Sequence, residues 1–206
     1  MLSVLQFKAK HLKLLELAQL ALPLLAAIAI GLSGCSPQDS DDEKTPAVIP
    51  TLPYDAIAAH ATGFTVGAII NSNAVYVLFD PQCPHCGHLW EATQPLHGKL
   101  KFVWIPVAFI NAKSGPQGAV LLSAADPETL MAEHEKSILA GAGGVSAIAA
   151  APLAINKAIK KNTRLFNSLG AESVPYILGK NLRTGQLVTH TGALSTAALA
   201  ELLGVN

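Results

Sequence analysis

Two cysteines with two residues between them, set between an apolar run and a helical stretch, constrain this chain more than any other feature of its 206 residues. Val75 to Phe79 reads V-Y-V-L-F and ends in Asp80-Pro81; Gln82-Cys83-Pro84-His85-Cys86 follow. A short apolar run closed by a turn signal predicts a buried strand. The residues from Cys83 to about Leu96 then predict a helix, with Pro95 near its end. A thiol at a helix start faces unpaired backbone N–H groups and the positive end of the helix dipole, both of which favour the thiolate. The stretch therefore points to thiol–disulfide exchange, with Cys83 attacking and Cys86 resolving.

C-x-x-C also occurs as half of a zinc site. A structural zinc wants four ligands, and no second C-x-x-C is present. His85 and His88 can complete a Cys/His cluster, so a module or chaperone for a soft ion such as Cu(I) is the competing reading. An inert C-x-x-C in a structural protein is a third. The strand before and helix after favour the redox pair, and that reading needs no cofactor. Pro84 suits the first helical turn, and His85 can act as a cation or donor toward the Cys83 thiolate. Both are candidate tuners of the thiolate; His88 reads as a bystander. Asp80 reads as a turn former rather than a proton acceptor for Cys86. Trp90 and Trp104 read as packing, and Glu133-His134-Glu135 as a solvated helix face with one half-buried His. Glu91 and His97 carry no assignable role.

Half of the residues are hydrophobic and only 14% are charged, with zero formal net charge and no basic cluster suited to nucleic acid. Three cysteines are too few for a disulfide-stapled scaffold. The chain opens with Lys8, Lys10 and Lys13, then an apolar run from Leu14 to Leu32. It closes in Leu32-Ser33-Gly34-Cys35, small residues before a cysteine as at a secretory cleavage site. This tetrapeptide resembles the bacterial lipobox, which implies cleavage before Cys35 and its lipidation. The alternative is an uncleaved membrane span, weakened by Glu16, Gln19 and Pro23. Losing residues 1–34 removes three Lys and one Glu, leaving 11 basic and 13 acidic residues and Cys83 and Cys86 as the free thiols. An exported chain carrying that pair meets an oxidising compartment in which it can cycle. Ser36 after the lipidated cysteine favours the periplasmic face of the outer membrane.

Residues 36–53 hold four acids and four prolines with few large apolar groups, the composition of a tether. Residues 35–63 are read as lipidated cysteine and tether, although residues 54–58 can make one or two helical turns. A folded domain is expected over 64–206. Phe64 to Gly67 predicts a short strand, and Lys99 to Phe109 a longer one that pairs in parallel with Val75 to Phe79 through a right-handed crossover. Helices are expected from Pro116, and from Pro127 with Asp126 as cap and Leu130, Met131, His134 and Ile138 on one face. Gly141 to Ser146 is a break. Residues 152–169 read as two helical pieces divided near Asn162-Thr163, with Thr163 as a cap. Ser173 to Leu178, a turn at residues 179–181, a strand from Gln186 to His190 and a helix from Ser195 to Leu203 complete an α/β order.

The combination F-D-P-Q-C-P-H-C, followed by N-x-x-L-x-x-L-G-x-x-x-V-P between Asn162 and Pro175, resembles the thioredoxin-fold Dsb proteins. The likeness is greatest to the catalytic domain of the DsbC/DsbG branch, including the Asp126-Pro127 helix start, and covers about Phe64 to Asn206. It implies a thioredoxin fold with a helical subdomain inserted at about 115–170. It also implies a cis Pro175 beside the disulfide, with Val174 and Pro175 meeting substrate backbone. Two features depart from that branch. The dipeptide Pro84-His85 and Val174 before the proline resemble DsbA, the oxidant of the family. Residues 36–63 are also too short for the branch's dimerisation domain, so a monomer is expected. The implied partners are exported proteins with thiols or disulfides, a membrane or periplasmic redox protein, and the membrane itself through Cys35. The direction of exchange stays open between oxidation and isomerisation or reduction, and the missing dimer domain leans it toward oxidation.

Overall fold

Five short strands lie side by side in the order β1-β3-β2-β4-β5. They are β1 (Phe64–Gly67), β2 (Ala74–Phe79), β3 (Lys101–Pro106), β4 (Tyr176–Lys180) and β5 (Leu187–Thr191). The computed structural model describes residues 53–147 and 151–205. The leader, Cys35 and the acidic tether as far as Leu52 lie outside the described residues. β2 pairs in parallel with β3, while β1–β3, β2–β4 and β4–β5 are antiparallel. The middle position of β2 explains its composition. A strand covered on both faces is apolar throughout, and Val75, Val77, Leu78 and Phe79 are all buried. β5, at an edge, alternates between exposed and half-buried residues instead.

Six helices are described: α1 (Pro53–His60), α2 (Pro84–Thr93), α3 (Ser114–Ser123), α4 (Pro127–Leu139), α5 (Leu153–Ser168) and α6 (Thr196–Leu203). A 3-10 turn over Gln94–Leu96 prolongs α2. α2 crosses over from β2 to β3 and packs against α4 and α6, whereas α5 packs against α1, α3 and β3. The expected Asp126 cap holds, Thr163 caps no helix, and Ser195 caps α6. Asp126 accepts a hydrogen bond from the Thr129 N–H, and Ser195 accepts one from the Ala198 N–H. Trp90 and Trp104 are buried core residues, stacked edge to face at 5.1 Å.

Four expectations are corrected. Packing begins before Phe64, because α1 buries Tyr54 and Ile57 in the main core and Tyr54 donates its hydroxyl hydrogen to Ala74 O. α5 runs unbroken through Asn162-Thr163. The polar side chains that suggested an interruption serve tertiary contacts: buried Asn162 donates to Thr62 O and Pro106 O and accepts from the Thr62 N–H. Thr163 donates to Ile159 O in its own helix and accepts from the Ala108 N–H. β3 stops at Pro106 rather than Phe109: Val107 N–H makes a last bond to Phe79 O, and the next N–H groups are taken by side chains, Ala108 by Thr163 and Phe109 and Ile110 by Asp80. β4 continues through Gly179 to Lys180, and the turn moves to 181–185. There Asn181 Oδ1 accepts from the Arg183 and Thr184 N–H groups while Nδ2 donates to Leu202 O, a side-chain-built turn.

Candidate functional site at the start of helix α2

The chain leaving β2 is fixed by one side chain. Asp80 is fully buried; Oδ1 accepts from the Gln82 N–H at 2.8 Å, and Oδ2 from the Phe109 and Ile110 N–H groups at 2.7 and 2.8 Å. Its carbonyl accepts from the Cys83 N–H at 3.0 Å. These bonds tie the turn before Cys83 to the loop after β3. Asp80 is thus a turn former, as its position beside Pro81 suggested.

Cys83 occupies the N-cap of α2 with extended backbone (φ −101°, ψ 109°), and its side chain caps nothing. Both thiols are buried, Cys86 completely, and both are free. Their proton affinities diverge. The Cys83 thiol is lowered to about 7, first by the hydrogen bond from Cys86 and then by the backbone N–H groups of Cys86 and His85; burial and the Asp80 charge oppose this. Burial, followed by the interaction with Cys83, pushes the Cys86 thiol well above its ordinary value. One sulfur is therefore half ionised near neutral pH and the other holds its proton, the division of labour a thiolate attack requires.

Cys83 Sγ lies 3.5 Å from Val174 O, across from the start of β4. The Val174–Pro175 bond is cis, as the resemblance implied, and both residues are buried. Pro84 and His85 sit exposed on the first turn of α2. What His85 contributes at Cys83 is its backbone N–H. His88 is also exposed and lies 3.9 Å from Glu91. His97 meets Glu128 at 3.3 Å. Among the described residues no three His, Cys, Asp or Glu side chains converge in a way that could hold a metal ion. Cys35 lies outside the described residues.

The sequence made His134 half-buried and left Glu135 in solvent; the structure draws both inside. His134 and Glu135 on α4 are both buried, at 0% and 1% exposure, so this part of α4 is not a solvated face. His134 Nε2 donates to Pro81 O at 2.7 Å, and Nδ1 accepts from the Val145 N–H at 3.1 Å. A carbonyl at one nitrogen and an N–H at the other define a neutral ring, and burial lowers its proton affinity. Gly144 makes this approach possible: it has φ +83°, and a Cβ there would lie 2.5 Å from the His134 ring. Gln117 on α3 donates to Gly143 O and Val145 O and bonds Gln82, the residue before Cys83. The helical segment is thus stitched to the redox turn at Pro81 and Gln82. Met131 and Ile138 were a sufficient signal for Glu135. With Asp126 fixing where the helix starts, the i, i+4, i+7 spacing turns residue 135 inward with them.

A βαβ crossover flanked by antiparallel strands, with Cys-x-x-Cys at the start of the crossover helix and a cis proline opposite it, defines a thioredoxin-like fold. Solved structures agree. The catalytic domain of Proteus mirabilis ScsC superposes with a TM-score of 0.56 at 17% identity, covering 73% of this chain and 92% of that one. The thiol-disulfide exchange protein alpha-DsbA2 from Wolbachia pipientis gives 0.55 at 16% identity, covering 73% and 90%. In sequence, the chain is 33% identical over 132 residues to the thiol:disulfide interchange protein DsbG of Pseudomonas aeruginosa, across 63% of this chain and 50% of that protein. The Escherichia coli DsbG is 30% identical over 105 residues, 50% of this chain and 42% of that protein. The chain spans about half the length, or less, of these curated relatives. No family model matches it. Over the aligned stretches the chain is similar in sequence to DsbG, as its motifs implied.

Proposed function

We propose that this chain is a protein thiol:disulfide oxidoreductase that exchanges disulfides with exported proteins through Cys83 and Cys86. The observation that carries the proposal is the placement of two free thiols at the start of α2, Cys83 at its N-cap with the sulfur 3.5 Å from Val174 O, beside a cis proline. The Cys83 thiolate attacks a substrate disulfide, or the Cys83–Cys86 disulfide accepts a substrate thiolate at Cys83. Either way a mixed disulfide forms, and Cys86 resolves it in the reducing direction. Val174 and Pro175 border Cys83 and are assigned to the substrate's backbone. Pro84 and His85 tune the thiolate, His85 through its N–H. The similarity to DsbG supports this reading.

The chain is assigned to the periplasm, held to a membrane by lipid on Cys35 and favouring oxidation. Pro84-His85 supports that direction, and the leader composition supports export. The redox partner is a membrane or periplasmic protein that restores the Cys83–Cys86 disulfide. A Cys86→Ala variant in the native host tests the assignment. Exported proteins and a redox partner are expected as mixed disulfides on Cys83, lost on reduction and absent from Cys83→Ala. No trapped partner under oxidising growth overturns it, and tight stoichiometric metal on the reduced protein with negligible insulin reduction replaces it.

A further inference from the structure

The sheet has two ends, and the exchange chemistry uses only one of them. Phe79, Pro106 and Tyr176 come together at the redox end. At the opposite end the strand register gathers Gly67, Ala74, Lys101, Lys180 and Leu187. There the chain passes from β1 to β2 through a tight turn, closed by a bond from the Asn71 N–H to Ala68 O at 2.9 Å. The two central residues of that turn are Ile69 and Ile70, 70% and 100% exposed. Such positions ordinarily take Gly, Pro, Asn, Asp or Ser, and the fold buries neither isoleucine in return. The turn is nonetheless braced. The Ala68 N–H bonds Leu100 O, Asn71 Nδ2 donates to Lys99 O, and Asn71 Oδ1 accepts from the Asn73 N–H. Two large apolar side chains are thus held outward at the end of the domain opposite Cys83.

The same end receives the chain from its N-terminal side. α1 begins at Pro53, and Tyr54 donates its hydroxyl hydrogen to Ala74 O and lies under Lys180 Nζ. The preceding residues, 36–53, have the composition of a tether and follow the cysteine assigned to lipid. A tether of that length spans at most about 60 Å. It keeps an anchored domain at a local concentration on the order of millimolar at the bilayer surface. A contact too weak to hold a free protein on lipid is then sufficient. Charge at this end is mixed, with Lys101, Lys180 and Arg183 among Asp55, Glu128 and Glu201, so the apolar pair decides what covers it.

We propose that the Ile69–Ile70 turn inserts into the surface of the bilayer to which the chain is anchored, standing the sheet upright with its redox end outward. This rests on the anchoring assigned to Cys35 and is independent of the exchange chemistry. Apolar side chains entering the boundary between headgroups and acyl chains leave water without needing a partner of defined shape. β2 alone spans 6 residues, about 20 Å at the rise of a strand. Cys83 is carried at least that far above the lipid and faces soluble exported proteins.

The test uses the full chain carrying its lipid, in phosphatidylcholine vesicles with brominated acyl chains, which quench tryptophan on contact. Trp90 and Trp104 are buried and give a constant background. Ile70→Trp, at full exposure, disturbs no packing. It is expected to lose about half of its added fluorescence in the brominated vesicles, unchanged in about 0.5 M salt. Lys113→Trp, exposed at the redox end, is expected to stay unquenched. Adding Ile69→Asp to Ile70→Trp should restore the fluorescence without moving the thermal midpoint. Ile70→Trp that stays unquenched in protein floating with the vesicles overturns the docking alone. Equal quenching of Lys113→Trp does the same, because the domain would then lie without orientation. A dimer that Ile69→Asp dissolves, with no quenching, assigns the turn to a second copy and also overturns it. Protein that fails to float overturns the anchoring together with the docking, a separately readable result.

Discussion

Asp80 and Glu135 are both buried carboxyl residues beside one turn of chain, and they are built in opposite ways. Asp80 comes from the end of the central strand and accepts three backbone N–H bonds, one from its own turn and two from the loop after β3. Glu135 comes from the helical segment and accepts none. A buried carboxylate that is fully hydrogen-bonded holds backbone in place, and its charge is stabilised by the N–H groups it gathers. A buried carboxyl with no partner stabilises nothing and keeps its proton. One acid thus organises backbone, and the other is a buried group that burial keeps protonated. The strand supplies the scaffold for Cys83, and the inserted helix supplies the titratable group beneath Cys86.

Removing each acid should therefore move stability in opposite directions. Asp80→Ala leaves three N–H groups without their acceptor, at an expected loss of about 4 kcal/mol. It should be seen as a lower urea midpoint, accompanied by loss of order in the loop at Phe109 and Ile110. A midpoint within error of wild type would mean that the loop is held by something other than this carboxylate.

Glu135→Leu replaces an unsatisfied polar group with a hydrocarbon of similar size, and an increase of about 1–2 kcal/mol is expected near pH 5. The gap should widen with pH. The folded Glu135 holds its proton to about 9, whereas its ordinary value is 4.5. Between these values the unfolded chain binds fewer protons than the folded one, so wild-type stability falls as pH rises, and Glu135→Leu lacks that slope. The widening is bounded by about 1.4 kcal/mol per pH unit. His134 is buried neutral and contributes a rise with pH below its ordinary value, 6.5, while Cys83 in the reduced protein contributes one between about 7 and 9.0. That of His134 is common to the two proteins and cancels in the difference; that of Cys83, whose charge acts on Glu135, is removed by comparing the oxidised proteins. Urea titrations of the pair at three pH values measure it; a gap that stays flat or closes would sink the assignment of a protonated Glu135.

The same contrast explains what could be read from sequence. Asp80 lies in a local pattern of apolar run, Asp-Pro and Cys-x-x-Cys, and everything it does follows from neighbours within the motif plus one loop. Strand, turn and helix start are local events, and so are the Asp126 and Ser195 caps. Glu135 packs against a helix turn about fifty positions away, and Glu-His-Glu on a helix has the composition of a wet face. Only the phase set by Asp126 and shared with Met131 and Ile138 marks it as inward. Asn162 and Thr163 misled for the related reason that polar side chains capable of breaking a helix also serve to tie one to its neighbours. Helical turns over residues 54–58 were readable, but the packing of α1 into the core was not, because its two buried anchors, Tyr54 and Ile57, follow a stretch rich in proline and acid.

The smallest expected effect probes the space between the two helices. Gly87 lies inside α2, where replacing glycine with alanine ordinarily adds up to about 1 kcal/mol of helix stability. Here the new Cβ would come within 3.0 Å of Glu135 Oε2 and of Leu139 Cγ. Leu139 is half-buried near the end of α4 and can give way by rotation; the carboxyl must give by a few tenths of an ångström inside the core. Gly87→Ala alone should therefore be close to neutral, because the helix gain and the forced shift oppose each other. In a Glu135→Ala background the obstruction is gone, and the same substitution should stabilise by about 0.5–1 kcal/mol. Four urea curves complete the cycle. A coupling energy near zero would place the carboxyl out of contact with the redox helix, and with it would go the reason for a glycine after Cys86.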